Sequence, residues 1–378
     1  MKTENVKGFK DYVGEEAEKR AELKKIIINS LERYGFKPVE TPIIEYEEFV
    51  KGGNERDEAV SDIFKLKDKG KRELALRYEF TFQLKRIAKN QKLPFKRYQI
   101  GEVFRDEPVS SNRFRQFVQC DADIVGSSVK DEAEILALAN EVLKKAGINP
   151  IILINNRKLL NEILDSEGIK EKDKESVLKE IDKYDKLPEK DVRNNLKKYK
   201  AENVISLLKK GEKFFSQFES YKEIISLMEY CKIYGLKAIF SPSIVRGLSY
   251  YNGSVFEIRA GGIKETIVAG GSYKIENLQS TGISFGLERI SSITKIDDKK
   301  EGYLIISLEQ DRKAIEIAQI LREKGEIVTL FYGKPSKALE YANSYKINKV
   351  IFVGEREVKK KEFKVKNMKT GKEKILKI

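Results

Sequence analysis

The chain has 378 residues, of which 74 are Lys or Arg and 60 are Asp or Glu, and its formal net charge at pH 7 is +14. With 40% apolar and 35% charged residues, the composition is typical of a folded protein with a heavily charged surface, and it excludes disordered and fibrous classes. The sequence contains no histidine. That absence excludes Ser-His-Asp and Cys-His catalysis and imidazole metal sites, so any chemistry must use carboxylates, Arg or Lys side chains and backbone groups.

Length and the N-terminal sequence set expectations for domain count and location. At roughly 150 residues per domain, the length predicts two or three domains. The charged N-terminus lacks the apolar region of a secretory signal, and no apolar stretch approaches the ~20 residues of a membrane span. We therefore expect a cytoplasmic protein with no membrane association. Cys120 and Cys231 are predicted to be buried thiols in a reducing compartment.

Two helices and an edge strand are predicted in the first part of the chain. Apolar residues at helical spacing indicate an amphipathic helix over 14–34, with Gly35 as its C-cap. The next stretch, 36–45, reads as extended, and its two prolines favour an edge or interface strand. A second helix is predicted over 131–146, where Gly147 ends it.

The rest of the chain divides by composition. Residues 159–235 are rich in Lys and Glu with helical periodicity, which predicts a helical insertion, and strand patterns return over 236–292. After a polar linker at 297–300, strands and helices alternate over 301–378, which predicts a small α/β domain with a mostly parallel sheet. This last segment carries 18 Lys and Arg against 11 Asp and Glu, a net charge of +7. A polyanionic partner such as nucleic acid fits this charge, and a solvated basic surface is the alternative.

The stretch 104–123 predicts a hairpin whose two strands flank a polar turn rich in Pro, Ser and Asn. Side chains alternate between the two faces of a strand. On the second strand, this alternation puts a group of polar and aromatic side chains on one face: Arg113, Arg115, Phe117, Gln119, Asp121 and Asp123. Arg binds phosphate or carboxylate bidentately, a ring offers a stacking surface, and Asp and Gln accept hydrogen bonds from ammonium or ring N–H groups. This face predicts a site for a zwitterionic or phosphorylated ligand; an exposed strand with surface ion pairs is the alternative.

Further segments carry weaker signals of the same kind. Alternation in a predicted strand places three polar side chains on one side, namely Arg77, Glu79 and Thr81. An Arg-Gly turn at 246–247 leads into a strand with Tyr250 and Tyr251, one of which should face the core and the other a ligand. Glycine-rich sequence at 270–271 and 282–286 allows close backbone approach. Several arginines near strand ends, without a basic catalyst, suggest electrostatic phosphoryl or adenylyl chemistry.

These stretches resemble the motifs of one family, because over essentially its whole length the chain looks like a class II histidyl-tRNA synthetase. Phe-Arg-x-Glu at 104–107 with Arg-x-Arg-Gln-Phe at 113–117 is similar to motif 2 of the class, and 282–289 is similar to motif 3. Thr41-Pro42 resembles motif 1, whose proline lies at the dimer interface of the class. Arg246-Gly247-Leu248-Ser249-Tyr250-Tyr251 resembles the family's histidine-binding signature. Gln119-Cys120-Asp121-Ala122-Asp123-Ile124 resembles the eukaryotic and archaeal form of motif 2 in this family.

The resemblance implies an α+β fold. A class II aminoacyl-tRNA synthetase catalytic domain, an antiparallel sheet flanked by helices, would comprise 1–158 and 236–298. Residues 159–235 would be a helical insertion domain, and 301–378 a small α/β anticodon-binding domain. The resemblance also implies a homodimer that activates histidine with ATP and Mg2+ and transfers it to tRNA(His).

Roles for individual side chains also follow from the resemblance. The catalytic residues would be Arg105, at the α-phosphate and substrate carboxylate, and Arg246, at the pentavalent transition state. The ATP-binding set would be Arg105, Glu107, Arg113, Phe117 and Arg289. The histidine-binding set would be Glu79, Thr81, Gln119, Asp123, Arg246, Tyr250 and Tyr251. No metal-ligand set is predicted among the protein side chains.

Two departures and three alternatives accompany this interpretation. Ser249 stands where the family has an acidic residue, and Gly270-Gly271-Ser272-Tyr273-Lys274 replaces Gly-Gly-Arg-Tyr-Asp.

The alternatives are a non-catalytic regulatory subunit of ATP phosphoribosyltransferase, an RNA-binding protein without activity, and a class II synthetase for another amino acid. The retained signature, C-terminal segment and arginines disfavour the first two, and the pairing of Asp123 with Tyr251 disfavours the third.

Overall fold

The computed structural model describes residues 2–52, 58–110, 113–185, 187–245, 250–262, 265–296 and 302–376. The chain divides into two compact units, Met1–Ile296 and Asp297–Ile378. No helix within the described ranges is both long and apolar enough to cross a membrane.

A mixed sheet dominates the first unit. Its described strands are β1 (Lys37–Pro38), β2 (Ile44–Tyr46), β3 (Lys65–Lys67), β4 (Glu73–Leu76), β5 (Phe95–Phe104), β6 (Gln116–Val125), β7 (Pro150–Asn156), β8 (Ala238–Phe240), β9 (Tyr251–Ala260), β10 (Thr266–Ile275) and β11 (Leu278–Gly286). Eight of these form a sheet in the order β1-β5-β6-β11-β10-β9-β7-β8, and β2, β4 and β3 form a small second sheet. The central pairs are antiparallel, while β1 and β8 pair in parallel at the two edges. The predicted edge strand and the predicted hairpin of β5 and β6 are therefore confirmed.

The helices of the first unit pack against both of its sheets. They are α1 (Gly14–Arg33), α2 (Glu47–Lys51), α3 (Glu58–Ser61), α4 (Leu84–Ile87), α5 (Val129–Lys145), α6 (Arg157–Ser166), α7 (Glu171–Ile181), α8 (Glu189–Leu196), α9 (Val204–Leu207), α10 (Glu212–Phe215), α11 (Tyr221–Ile233) and α12 (Leu287–Ile293). The predicted ends are confirmed, since Gly35 after α1 has φ +80° and Gly147 after α5 has φ +71°, values that favour glycine.

The apolar side chains of β6 join the core formed by these helices. Val118, Cys120 and Ala122 lie in one buried cluster with Leu23 of α1 and Ile135 of α5. Because side chains alternate along a strand, the opposite face of β6 carries its polar residues. Burial raises the pKa of the Cys120 thiol, and both cysteines are buried and free, as predicted.

The segment predicted as a helical insertion folds into α6–α11. Its buried residues, among them Leu160, Leu178 and Phe215, belong to the same apolar cluster as the sheet. Assignment of 159–235 as a separate domain stays a prediction.

The second unit is a smaller α/β structure. Its elements are β12 (Gly302–Ser307), α13 (Asp311–Glu323), β13 (Ile327–Tyr332), α14 (Pro335–Ser344), β14 (Lys349–Val353), α15 (Glu355–Lys360), β15 (Lys364–Asn367) and β16 (Glu373–Ile375). The strand order is β13-β12-β14-β15-β16, with parallel pairs in the first three strands and antiparallel pairs in the last two. Buried side chains of α13 and α14 pack in two separate apolar clusters that involve opposite faces of β12. The prediction of a mostly parallel sheet is confirmed for β13, β12 and β14 only, because β15 and β16, which were not predicted, add two antiparallel pairs.

Candidate active site

A cavity of about 390 Å³ lies on the polar face of the large sheet. Every predicted site residue that the structure describes lines this cavity: Glu79, Thr81, Arg105, Glu107, Arg113, Phe117, Gln119, Asp123, Tyr250, Tyr251 and Arg289. Arg246 lies outside the described residues. The sequence therefore predicted which side chains come together, while their individual roles stay proposals.

The register of three strands places the polar groups. Gln119, Asp121 and Asp123 alternate along β6. On one side of Asp121 lies Gln99 of β5, and on the other lies Ser284 of β11. Directly opposed residues of antiparallel strands project from the same face, so these side chains lie together on the polar face of the sheet, and all except Gln99 line the cavity.

Glycines in this part of the sheet make room for the side chains above them. A Cβ on Gly282 would lie 2.1 Å from Oδ1 of Asp123, and one on Gly271 would lie 2.7 Å from the ring of Tyr251. Neither distance is possible between real atoms, so each position requires glycine. The glycine-rich stretches thus serve close packing of a carboxylate and an aromatic ring against the sheet backbone.

At one end of the cavity, Asp123 is held in a buried cluster. Nη2 of Arg97 lies 2.8 Å from Oδ2 of Asp123, and the Tyr273 hydroxyl donates a hydrogen bond to Oδ1. Arg97 is completely buried, at 0% exposure. Burial raises the pKa of Asp123, although Arg97 and Tyr273 pull it down. Arg97 was missed by sequence reasoning; the available signal was an arginine on β5, opposite Asp123 in the register of the predicted hairpin.

Asp121 is the second buried carboxyl group at this end. Its pKa is raised to about 7, chiefly by burial and then by the neighbouring Asp123 carboxylate, while Arg97, Ser284 and Gln119 lower it. Oδ1 of Asp121 accepts a hydrogen bond of 3.2 Å from Nε2 of Gln119. A carboxyl group that titrates near neutrality in a cavity is a candidate functional group.

Aromatic side chains and Glu79 form the wall beside these carboxyl groups. The Tyr250 hydroxyl donates to Oε2 of Glu79 at 3.3 Å, and the Tyr250 ring lies 5.0 Å from that of Tyr251 and 5.5 Å from that of Tyr273. Burial, and then the Glu79 carboxylate, raise the pKa of Tyr250 well above its usual value. The prediction that one of the two adjacent tyrosines faces the core is wrong, since both line the cavity. Tyr250 precedes β9, so strand alternation does not apply to it.

The other end of the cavity is rich in guanidinium groups. Arg105 donates from Nε to the Tyr78 carbonyl at 3.1 Å, and its guanidinium lies 5.2 Å from the Phe117 ring. Glu107 lies between two arginines, 4.0 Å from Arg105 and 3.8 Å from Arg113. Such an arrangement suits a polyanionic ligand beside a planar ring.

At the arginine end of the cavity, the segment that resembles motif 3 contacts the strand that resembles motif 2. Glu288, at the start of α12, accepts the backbone N–H of Val118 at 3.0 Å and pairs with Arg20 of α1 at 2.8 Å. The adjacent Arg289 donates from Nη1 to the Thr266 carbonyl at 2.8 Å. Sequence reasoning missed Arg20, which gives no local signal.

Two predictions of strand alternation are wrong. Arg115 does not share the face of Phe117, because β6 begins only at Gln116. Its backbone N–H donates to the Gly8 carbonyl and its guanidinium pairs with Asp106 at 3.0 Å. Similarly, β4 ends at Leu76, and Arg77 turns away to donate to the carbonyl groups of Thr41 and Glu102.

Comparisons with known proteins find similarity to histidyl-tRNA synthetases over both units of the chain. A family profile described as histidyl-tRNA synthetase matches residues 8–290, and one described as anticodon binding domain matches 300–378. A "Histidine--tRNA ligase 1" of Bacillus cereus is 36% identical over 99% of this chain and 97% of the relative. The "Histidine--tRNA ligase 2" of Shouchella clausii is 34% identical over 98% of this chain and 97% of the relative.

Solved structures show the same fold. The histidyl-tRNA synthetase of Nostoc sp. PCC 7120 superposes with a TM-score of 0.86 at 24% identity, covering 100% of this chain and 97% of that one. A Bacillus halodurans protein described as an ATP phosphoribosyltransferase regulatory subunit/histidyl-tRNA synthetase gives 0.79 at 21% identity, covering 93% of this chain and 98% of that one. The matched profile and the full-length relatives together show that the chain belongs to the histidyl-tRNA synthetase family.

Proposed function

We propose that the protein is a histidine–tRNA ligase, which joins histidine to ATP as histidyl-adenylate with release of pyrophosphate, and then transfers the histidyl group to the 3′-end of tRNA(His). The observation that carries this proposal is a single cavity with guanidinium groups at one end and buried carboxyl, amide and tyrosine groups at the other. The first set suits a nucleotide triphosphate and the second an amino acid whose ring donates hydrogen bonds.

The regulatory subunit named in one structural neighbour is the alternative. A protein that only senses histidine has no use for Arg105, Arg113 and Arg289 on one side of its amino-acid cavity. In addition, relatives at 34% and 36% identity over nearly the whole chain are named ligases. The ligase is therefore the better supported function.

Activation of the amino acid needs no protein base. The substrate carboxylate is already an anion and attacks the α-phosphate directly, so the protein contributes orientation and charge stabilisation. Arg105 would bind the α-phosphate and the substrate carboxylate, and Arg246, which the structure does not describe, would stabilise the transition state. Transfer to the tRNA could use a phosphate oxygen of the adenylate as the base.

The arginine end would hold the rest of the nucleotide. Arg113 and Arg289 would bind the β- and γ-phosphates, and Phe117 would stack on the adenine, with Glu107 nearby. Magnesium accompanies ATP and prefers carboxylate and phosphate oxygens. Phosphate oxygens of ATP would supply ligands to the ion, and Glu107, which lines the arginine end of the cavity, is a carboxylate placed to assist. No group of three metal-ligating side chains occurs among the described residues.

The opposite end would bind histidine. Glu79, Thr81 and Gln119 would accept hydrogen bonds from the α-ammonium group of the substrate. The imidazole ring would then lie towards Asp123, Tyr250 and Tyr251. The carboxylates at 121 and 123 also support our proposal that motif 2 has the eukaryotic and archaeal form.

The second unit and a second subunit complete the proposal. The +7 charge of 301–378 supports contact with the tRNA anticodon through phosphate and base contacts. A homodimer through motif 1 is supported by three exposed apolar residues beside Pro42, namely Ile43, Ile44 and Tyr46, which are 42%, 49% and 51% exposed.

The full reaction is tested by aminoacylation. Purified protein, ATP, Mg2+ and a tRNA(His) transcript should incorporate labelled histidine into acid-precipitable tRNA, and omission of ATP should abolish incorporation. A protein that binds histidine but charges no tRNA would instead support the regulatory function.

A further inference from the structure

A second cavity, of about 260 Å³, lies apart from the candidate active site. It shares no lining residue with the first cavity, and its wall combines β9, β10 and β11 with α5, α6 and α11. Ser272 of β10 lines it, whereas the next residue, Tyr273, lines the first cavity, so the two cavities lie on opposite sides of this strand. Serine hydroxyls and the amides of Asn252 and Gln279 supply oxygen atoms to the wall beside Glu132.

Glu132, in the first turn of α5, brings a buried carboxyl group to the second cavity. The residue is 7% exposed. The Ser272 hydroxyl donates a hydrogen bond to Oε1, whereas Oε2 is buried and has no hydrogen-bond partner. Burial raises the pKa of this carboxyl group, and the hydroxyls of Ser272 and Ser254 lower it. One oxygen of a buried carboxyl group is therefore left for a donor from outside the protein.

The other charged groups of the wall already pair with one another. Nζ of Lys158 lies 2.6 Å from Oε1 of Glu223, and Nδ2 of Asn156 donates to the second oxygen of Glu223 at 2.8 Å. Within the described ranges of the chain, Glu132 has no ion-pair partner within 4.0 Å. A buried carboxylate without a counter-charge is costly, so a cation that enters the cavity would offset this cost.

The sequence indicates which kind of cation fits. Ser272 occupies the position at which the family motif Gly-Gly-Arg-Tyr-Asp has arginine. Because the Ser272 hydroxyl contacts Glu132, a longer side chain from the same Cβ would carry its terminal group into the cavity. A guanidinium also suits the wall chemically, since it donates five N–H groups, pairs with carboxylates in a planar fork and is more weakly hydrated than an ammonium. The departure at 272 thus leaves space and a negative charge where a guanidinium fits.

We propose that the second cavity binds a small guanidinium compound, with the Glu132 carboxylate as its counter-charge. The hydroxyl and amide oxygens of the wall accept the remaining N–H groups. The bound compound takes the place that an arginine side chain at 272 would fill, and it joins α5 to β9 and β10. This site goes beyond the proposed function, because no residue of the first cavity takes part in it.

Binding of methylguanidinium to the full chain tests the proposal. Isothermal titration calorimetry, with NaCl used to hold the ionic strength constant, should give a Kd of about 1 mM, which is within the range for a ligand of about five non-hydrogen atoms. Methylammonium chloride and KCl are the comparison probes. Each should bind at least about 10-fold more weakly, because neither offers a planar set of donors to the carboxylate.

Two carboxylates of the same wall provide a matched pair of variants. Glu132→Gln should weaken methylguanidinium binding by at least about 10-fold, because a neutral amide replaces the counter-charge. Glu223→Gln is the control, since Glu223 already pairs with Lys158 and its side chain is 44% exposed. It should change the Kd by less than about 3-fold.

Ser272→Arg supplies the guanidinium covalently, and it keeps the proposal testable even if Glu132→Gln fails to fold. This variant should no longer bind methylguanidinium, and its Tm should rise by about 2 °C, because the buried carboxylate gains a counter-charge. Addition of methylguanidinium at about 10 mM should raise the Tm of the wild type by a similar amount. The double variant Ser272→Arg/Glu132→Gln should lose this gain, because its guanidinium lacks the carboxylate.

Three results would overturn the proposal. They are absence of methylguanidinium binding to the wild type, equal binding to the wild type and Glu132→Gln, and tighter binding of methylammonium or K+. Wild-type affinity in Ser272→Arg would place the ligand elsewhere and would overturn it as well. None of these measurements depends on pyrophosphate exchange, so failure of the proposed function is a separate outcome.

Discussion

The two ends of the cavity are built differently. At the arginine end, Glu107 lies 4.0 Å and 3.8 Å from Arg105 and Arg113, and the Arg113 side chain is 56% exposed. At the carboxylate end, Arg97 and Asp123 are paired at 2.8 Å with almost no exposure. A triphosphate brings strong charges that loosely held guanidinium groups can follow, whereas choosing one small ring requires donors and acceptors fixed in advance. Nucleotide binding and amino-acid selection should therefore be separable by mutation.

The largest effect should come from the buried pair. Arg97→Met keeps most of the side-chain volume but leaves Asp123 without its counter-charge, and we expect a loss of about 3–5 kcal/mol in the free energy of unfolding. Chemical denaturation monitored by circular dichroism measures this loss. The double variant Arg97→Met/Asp123→Asn is the matched control and should recover part of it; a single variant as stable as the wild type would contradict the structural role of the pair.

Arg105→Ala tests the arginine end. We expect kcat for pyrophosphate exchange to fall by about 10²- to 10³-fold, because one preorganised donor to the reacting phosphate is lost. Thermal unfolding should change little, since Arg105 makes hydrogen bonds of 3.1 Å and 3.4 Å at the edge of the cavity. An equal loss of stability and activity would mean that Arg105 is structural.

Removal of the second unit separates the two reaction steps. A chain ending at Ile296 retains the whole cavity and its own apolar cores. We expect exchange with histidine to persist while aminoacylation of tRNA(His) falls roughly 100-fold or more, because phosphate contacts to the tRNA are lost. Parallel loss of both activities would contradict this division of labour.

The smallest effect compares two arginines that are two residues apart. Arg113 lines the cavity, whereas Arg115 pairs with Asp106 outside it. Arg113→Ala should raise the KM for ATP by about tenfold, as expected for one charged contact to phosphate, and Arg115→Ala should leave it nearly unchanged. If both variants behave alike, the placement of Arg113 against the nucleotide is wrong.

Much of this site could be predicted from the sequence, because its residues occur in short stretches with strong patterns. The alternation of Gln119, Asp121 and Asp123 on β6 follows directly from strand periodicity. Alternation failed where a strand ended earlier or began later than predicted, as at Arg77, Arg115 and Tyr250, since local sequence defines element ends poorly.

Other features depend on contacts between distant segments. The pairing of Arg20 with Glu288 brings together residues of α1 and α12 that no local pattern connects. The pairing of Arg97 with Asp123 follows only from the register of the β5–β6 hairpin, which the strand pattern alone does not define. Glycine is required at 282 because the Asp123 carboxylate of another strand lies against its backbone, a contact that the sequence around Gly282 does not indicate.

The most direct test of the central claim is ATP–pyrophosphate exchange by the purified full-length protein with each of the twenty amino acids in turn, in the presence of Mg2+. We predict exchange with histidine alone, because the carboxylate end of the cavity is built for a ring that donates an N–H. Exchange with another amino acid, or with none, would contradict the claim that this cavity selects and activates histidine.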